Sequence, residues 1–231
     1  MVWAILFLIP KENTVTRGIG LLETLWKVLD ELIDTCLCTI LQMHDFLHRF
    51  RAGRGMGTAI MDLKHSQEIA SIDQDPLFLV FLDFSKAYDT VDRDRLLITL
   101  EGYGAVPQIC GLLETFWDCQ QVVPRHNGFH RPAFPTTRGT MLGRLVFPTM
   151  FNVVVDNVIK TWLAMMVEDQ RVAHEGLVET IGQCLGVFYA KYGMFRSRDL
   201  DWLHHMMNVL VGLFKRYGLA ANVVKSCTMT Y

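Results

Sequence analysis

The sequence contains no apolar run of the ~20 residues that a membrane span needs. Its first apolar stretch, residues 2–9, is much shorter and stops at Pro10. No basic residue precedes that stretch and no small-residue cleavage site follows it, so the pattern of a secretory signal is missing. We therefore expect a buried strand that ends at Pro10, and we expect no membrane partner.

The sequence also has no paired-cysteine motif and no basic excess. Its 6 cysteines include no Cys-x-x-Cys pair, and no Cys/His group has zinc-finger spacing. This pattern favours reduced thiols in an intracellular protein of the cytoplasm or nucleus. The formal net charge of -2 argues against tight nucleic-acid binding by the chain alone, although a local basic groove is compatible with it. With 51% hydrophobic residues, the chain is not of the disordered class.

Periodic apolar residues and turn signals predict a chain that alternates between helices and strands. Such alternation is typical of a mixed α/β or α+β domain. The helices are expected at 20–46, at 59–71 with Thr58 as cap, after Asp92, at 108–121, at 148–167, and from Asp199 to Tyr217. The strands are expected at 76–81 and 184–190, with a hairpin at Asn127-Gly128.

Asp83 is the residue whose position carries the most information. It follows the apolar run at 76–81, and a carboxylate at the end of a buried strand is costly if it is dry and unpaired. One interpretation is that Asp83 meets solvent, a cation or a metal ion. The other is that it caps the turn or helix that follows. The residues by themselves leave both interpretations open.

The stretch Leu-Asp-Phe-Ser-Lys-Ala-Tyr-Asp at 82–89 resembles motif A of the reverse transcriptases of non-LTR retrotransposons. Further segments resemble other motifs of this family in the correct order, so the resemblance covers nearly the whole chain. These segments are Ile9-Pro10-Lys11 with residues 17–22, the loop at 50–55, Pro148 to Asn152 with Asp156, Phe188-Tyr189-Ala190, and Asn222 to Ser226.

The resemblance implies the fingers and palm of a right-hand polymerase, an α+β fold without a thumb. It implies an antiparallel palm sheet packed on helices, with the strand of Asp83 beside the strand at 184–190. Residues 1–75 would form a fingers-like segment. Residues 76–231 would form a palm-like segment, with a fingers insertion around 105–140.

The resemblance also implies roles for individual residues. Asp83 would be a ligand of Mg²⁺, which prefers hard oxygen donors. Tyr88 would pack under the nucleotide sugar, and Lys225 would lie near the leaving pyrophosphate. Further nucleotide contacts would come from Lys11, Arg17, Phe84, Leu142 and Gly143, and template contacts from Arg51 and Arg54.

The chain departs from the family pattern at the positions that matter most for catalysis. Lys191 and Tyr192 stand where the family has two aspartates, and Leu142 stands where it has a glutamine. We therefore expect an RNA-directed DNA polymerase domain that is inactive, with weak or no Mg²⁺ binding and a weakened grip on RNA template and DNA primer. We also hypothesise that Lys191 pairs with Asp83. The alternative is a non-catalytic retrotransposon remnant that binds RNA or a protein partner, or has no function.

Overall fold

The computed structural model describes residues 2–10, 16–21, 24–74, 76–126, 128–140, 143–168 and 186–231. The chain forms two compact units, each built from two separate segments. The first unit comprises Met1–Gln42 and Tyr88–Val153, and the second comprises Met43–Ala87 and Val154–Tyr231. These two units are defined by contacts within the chain and not by function. The expected division into fingers (1–75) and palm (76–231) therefore stays a prediction.

The N-terminal apolar run forms a strand that ends at Pro10, as predicted, although among its described side chains only that of Ala4 is buried and the next three are half-buried. Strand β1 pairs antiparallel with β2 and parallel with β4, and β4 pairs antiparallel with both β5 and β6. His126 and Phe129 are register partners, so β4 and β5 pair as the two strands of the expected hairpin, although Asn127 itself lies outside the described residues. The strands are β1 (Val2–Pro10), β2 (Thr16–Leu21), β4 (Gln120–His126), β5 (Phe129–His130) and β6 (Phe134–Pro135).

Helix α1 (Thr24–Ile40) is shorter than the helix expected at 20–46. Gly20 and Leu21 instead belong to β2, because they pair with β1 and that pairing overrides the local periodicity. Two of its leucines, Leu25 and Leu32, are exposed. The side chains that α1 does bury are Asp30, Ile33 and Leu37.

The other helices follow the expected order closely. Asp92 and Asp199 cap their helices as predicted, since their carboxylates accept the backbone N–H groups of Arg95 and Trp202. None of the described helices is both long and apolar enough to span a membrane. The helices are α2 (Met56–Asp73), α3 (Ala87–Thr90), α4 (Arg93–Gly102), α5 (Pro107–Cys119), α6 (Phe147–Glu168) and α7 (Leu200–Arg216).

Helix α2 begins earlier than the sequence suggested. Its N-cap is Gly55, and Thr58 lies three residues into the helix. The Thr58 hydroxyl accepts the Gly55 N–H at 3.0 Å and donates to the Gly55 carbonyl at 2.8 Å. The expected cap at Thr58 is therefore wrong, although its side chain does stabilise the helix start.

The second unit contains an antiparallel sheet in the order β10-β3-β8-β7, with β9 paired to the end of β3. The expected direct contact between the strand of Asp83 and the strand at 184–190 is wrong, because β8 lies between them. The sequence missed β8 because its Tyr-Gly start suggests a turn. The strands are β3 (Phe78–Ser85), β7 (Gly186–Tyr189), β8 (Tyr192–Ser197), β9 (Ala220–Ala221) and β10 (Cys227–Thr230).

Helices cover both faces of this sheet. On one face, Phe84 and Phe188 pack on Phe214 of α7, and Phe195 packs on Trp162 of α6. The opposite face carries a cluster of Leu77, Leu79, Val187 and Met194 that packs against α2. Side chains alternate along a strand, so residue 83 faces away from the aromatic core that contains residue 84.

Candidate functional site

Asp83 lies near the end of β3 and is held from two sides. On one side it is the register partner of Tyr192, the first residue of β8. On the other side its N–H donates to the Ser226 hydroxyl at 3.2 Å, and its carbonyl accepts the Asn222 N–H at 2.7 Å. The side chain of Asp83 is only 3% exposed, so its carboxylate is almost completely removed from water.

Lys191 provides the positive charge next to this carboxylate. Its Nζ lies 2.5 Å from Oδ1 of Asp83, and its side chain is 22% exposed. Nδ2 of Asn222 lies 3.5 Å from the other carboxylate oxygen, at the limit of hydrogen-bond range. A buried carboxylate without a partner is strongly destabilising, so this ion pair allows Asp83 to be buried and charged.

The tight turn between β7 and β8 brings Lys191 to Asp83. Tyr189 and Tyr192 are register partners, so residues 190 and 191 form the whole turn. Ala190 has a φ of 58°, in the left-handed region that L-residues seldom adopt. Gly193 follows the turn, and a Cβ there would come within 2.9 Å of Phe188 and Phe195. A side chain at 193 would therefore force these two rings to shift, so glycine suits the close packing of the hairpin on the aromatic core.

The donor groups around Asp83 do not fit Mg²⁺. This ion takes oxygen ligands and is usually held by one or two carboxylates together with substrate phosphates. At this site the single carboxylate is already bound to an ammonium group, and Tyr192 contributes no carboxylate. Among the described residues no group of three His, Cys, Asp or Glu side chains is placed to hold a metal ion.

Phe84 and Lys225 lie in different surroundings from those expected. The side chain of Phe84 is completely buried, with its ring centroid 4.6 Å from that of Phe214. This side chain therefore belongs to the core on the other face of the sheet from Asp83, and the nucleotide contact expected of Phe84 stays a prediction. Lys225 is exposed on the turn that begins at Asn222, whose carbonyl accepts the Lys225 N–H at 3.1 Å. Its contact with a pyrophosphate stays a prediction.

Arg51 and Arg54 stabilise their own loop. Arg51 donates to the His44 carbonyl at 2.6 Å. Arg54 donates to the Asp45 carbonyl at 2.7 Å and to the Asp45 carboxylate at 2.5 Å. Their template contacts stay predictions, and an RNA phosphate would have to compete with these internal hydrogen bonds.

His48 is a buried histidine in the same region, and sequence reasoning gave it no role. Its Nδ1 lies 2.8 Å from the Thr58 hydroxyl, and its Nε2 lies 3.1 Å from a carboxylate oxygen of Asp62. Burial lowers the pKa of His48, and the nearby Asp62 opposes this change. The His48 N–H also donates to the Phe188 carbonyl at 2.9 Å. His48 therefore connects the start of α2 to strand β7.

The first unit contains the other nucleotide-binding candidates, and the structure describes only some of them. The Tyr88 ring lies 4.8 Å from that of Phe151, and its carbonyl accepts the Thr140 N–H at 2.6 Å. Arg17 is in β2, opposite Ile9, but its side chain is not described. Lys11 and Leu142 lie outside the described residues.

Gly143 is a position that only glycine can occupy. Its φ is 112°, and a Cβ there would lie 2.2 Å from the carbonyl oxygen of Gly20. The segment that begins at Gly143 is thus in direct backbone contact with strand β2. Sequence reasoning selected Gly143 through the family motif but did not identify this packing requirement.

Sequence reasoning missed the buried ion pair of Asp30 and Arg144. Nε of Arg144 donates to the two Asp30 carboxylate oxygens at 2.9 and 3.0 Å, and its Nη2 donates to one of them as well. The guanidinium also lies 3.5 Å from the ring centroid of Phe116 and 4.6 Å from that of Phe147. The one available signal was a charged residue, Asp30, on the apolar side of a helix.

Arg93 forms a second buried contact that the sequence did not reveal. It donates to the Gly139 carbonyl at 3.0 Å and to the Thr136 hydroxyl at 2.8 Å. Burial lowers the pKa of Arg93 to about 10, and the positive charge of Arg144 acts in the same direction. Arg93 holds the segment at 136–140 against the turn that contains Tyr88, since the Gly139 N–H donates to the Val91 carbonyl at 2.9 Å.

The sequence of the chain matches a known protein family. Residues 9–231 match the family model of the reverse transcriptase, an RNA-dependent DNA polymerase. The chain belongs to the reverse transcriptase family. This family generally uses a divalent metal ion. No curated protein sequence matches the chain significantly.

Solved telomerase structures have the same fold as this reverse transcriptase domain. Telomerase from Candida tropicalis, in complex with a fragment of telomeric RNA, is similar with a TM-score of 0.71 and 12% identity over 99% of this chain. Telomerase from Candida albicans, also with a telomeric RNA fragment, has a TM-score of 0.66 and 14% identity over 99% of this chain. The chain spans 41% and 42% of those two proteins. The comparison confirms the α+β fold of the fingers–palm type.

Proposed function

We propose that this chain is a reverse transcriptase domain that no longer transfers nucleotides. In this proposal the ammonium of Lys191 provides the positive charge that a metal ion provides in active members. The observation that supports the proposal is the 2.5 Å contact between Nζ of Lys191 and Oδ1 of Asp83. The Asp83 carboxylate is already neutralised by a cation of the same polypeptide chain, the Lys191 ammonium. It therefore gains little free energy from binding a metal ion as well.

The magnitude of the charge change supports the loss of activity. Two unit charges 4 Å apart interact by about 4 kcal/mol at an effective dielectric constant of 20. A lysine in place of a ligand carboxylate removes such an attraction for a metal ion and introduces a repulsion. Each 1.36 kcal/mol added to the barrier slows a reaction about tenfold. Even part of this penalty is therefore enough to abolish useful polymerisation.

The finer identity of the domain belongs to the same proposal. The stretch at 82–89 and the order of the other motifs favour a non-LTR retrotransposon origin over other branches of the family. The partners would be an RNA template and a DNA primer, and the location would be the cytoplasm or the nucleus. The RNA in the two telomerase structures makes an RNA partner a natural candidate here.

A non-catalytic role is the second candidate function. The domain keeps an ordered fold at the position of the lost carboxylates, with Lys191 in an ion pair and Tyr192 in a regular strand. A domain that can keep this sheet intact without a metal ion can still present a binding surface. RNA or a protein would then be the partner, without any chemistry.

Primer extension tests the proposal. The wild-type protein should add no nucleotides to an oligo-dT primer on a poly-A template in the presence of Mg²⁺. A variant with Lys191→Asp, Tyr192→Asp and Leu142→Gln restores the family residues and is the matched comparison. The same triple variant with Asp83→Ala is the negative control for contaminating polymerases. Extension by the wild-type protein that disappears when Asp83→Ala is introduced into the wild-type chain would contradict the proposal.

A further inference from the structure

The substitution at position 192 has placed an aromatic ring on the surface of the former metal site. Tyr192 is 51% exposed although it lies within a regular antiparallel ladder. Its side chain points to the same side of the sheet as that of Asp83, because register partners in such a ladder share a face. The family has a carboxylate here, whereas this chain presents a planar apolar surface.

The electrostatics around this ring favour a negatively charged ligand. Lys191 neutralises Asp83, so this carboxylate does not repel a phosphate. Nζ of Lys191 also lies 4.6 Å from the Tyr192 ring centroid. Lys225 is exposed on the turn at 222–226, and this turn is joined to β3 by the hydrogen bond from the Asn222 N–H to the Asp83 carbonyl. These described groups carry a net positive charge, in contrast to the net charge of -2 for the whole chain.

The turn at 222–226 lies directly beside Asp83, on the side of β3 opposite to Tyr192, because the Asn222 N–H donates to the Asp83 carbonyl at 2.7 Å. Val223 and Val224 at its tip are almost fully exposed, and its backbone is fixed by hydrogen bonds of Lys225 and Ser226 to the Asn222 carbonyl at 3.1 and 2.9 Å. A rigid turn with small apolar side chains suits contact with sugars and bases better than with a compact hydrated ion. An exposed aromatic ring next to fixed cations is the arrangement that holds unpaired bases and their phosphates.

We propose that Tyr192 is a stacking platform for a base of single-stranded nucleic acid, with Lys225 as a contact for the backbone phosphate. This inference rests on the proposed function, since it requires that no metal ion occupies the site. Every base has a π-face, so the binding is independent of sequence. No divalent ion takes part, because Lys191 already supplies the charge that Asp83 requires.

The test measures binding of fluorescent oligouridylate and oligodeoxyuridylate to the full chain in the presence of EDTA. Tyr192→Ala should weaken both affinities by about 5- to 150-fold, the effect expected for one lost base stack. Tyr192→Phe should keep the wild-type affinity, because it retains the ring. Tyr231 is the matched control: it is 60% exposed at the end of β10, and Tyr231→Ala should leave binding unchanged.

Two further measurements separate stacking from a general loss of structure or charge. The thermal midpoint of Tyr192→Ala should equal that of the wild-type protein. Lys225→Ala should weaken the binding of both oligonucleotides. It should also reduce the slope of log affinity against log salt concentration by about one.

Three outcomes would overturn the inference: equal affinity for wild-type and Tyr192→Ala, binding that requires Mg²⁺, or no binding of either oligonucleotide. The last outcome would leave the proposed loss of polymerase activity standing. Conversely, primer extension by the wild-type protein would contradict the proposed function whatever the effect of Tyr192→Ala.

Discussion

Nζ of Lys191 and Oδ1 of Asp83 lie 2.5 Å apart at the junction of β3 and the β7–β8 turn. The two side chains differ in their access to water, since Asp83 is 3% exposed and Lys191 is 22% exposed. Removing the lysine leaves a buried charge, whereas removing the aspartate leaves an ammonium that can still reach solvent. The pair is therefore asymmetric in its effect on stability.

This asymmetry gives the first prediction. Lys191→Met should destabilise the protein by about 3 kcal/mol, and Asp83→Asn should cost less. The double variant should be more stable than Lys191→Met alone, because no unpaired charge is left. Urea unfolding of the three variants measures the three free energies. Lys225→Met, at an exposed position, is the control and should change the free energy of unfolding very little; equal costs for Lys191→Met and this control would exclude the ion pair.

The buried pair of Asp30 and Arg144 gives the second prediction. Both side chains are inaccessible to water, so Asp30→Ala should destabilise the protein by about 3–5 kcal/mol by leaving an unpaired guanidinium. Asp30→Leu combined with Arg144→Met should recover most of that loss, since it replaces both charges with apolar groups. Glu31→Ala, at an exposed neighbouring position, is the control. A cost for Asp30→Ala no larger than that of the control would show that the pair does not form.

The third prediction concerns Gly143. Gly143→Ala should destabilise the protein by about 2–5 kcal/mol, through the left-handed backbone and the overlap with the Gly20 carbonyl. Gly57 is the matched control, because it lies in α2 with free space around its Cβ position. Gly57→Ala should be neutral or stabilising by up to about 1 kcal/mol. Thermal unfolding of the two variants compares them, and similar midpoints would contradict the close approach.

Local patterns in the sequence predicted several elements correctly. The strand that contains Asp83, the helix caps at Asp92 and Asp199, and the pairing of β4 with β5 all follow from short-range chemistry. Capping and turn preferences act within a few residues, so they are readable from a single sequence. The pairing of Lys191 with Asp83 could also be predicted from the sequence, because the resemblance to the family implies that these two positions lie close together in the fold.

The rest of the site depends on long-range contacts that no local pattern encodes. Asp30 and Arg144 are separated by more than a hundred residues, and nothing in either segment specifies the other. Strand β8 lies between β3 and β7 because the chain turns back on itself in the β7–β8 hairpin. The strand at 186–189 is therefore separated from the strand of Asp83 by one intervening strand. The family resemblance assigned Phe84 to the nucleotide site, whereas the alternation of side chains along β3 places its ring in the core.

The most direct test of the central claim is the dependence of thermal stability on Mg²⁺. A ligand that binds only the folded state at a hundred times its dissociation constant stabilises that state by about 2.7 kcal/mol. Since Lys191 already satisfies Asp83, the melting midpoint of the wild-type protein should not change between EDTA and millimolar Mg²⁺. The variant with Lys191→Asp and Tyr192→Asp should become more stable when Mg²⁺ is added. Strong stabilisation of the wild-type protein by millimolar Mg²⁺, lost in Asp83→Asn, would contradict the account.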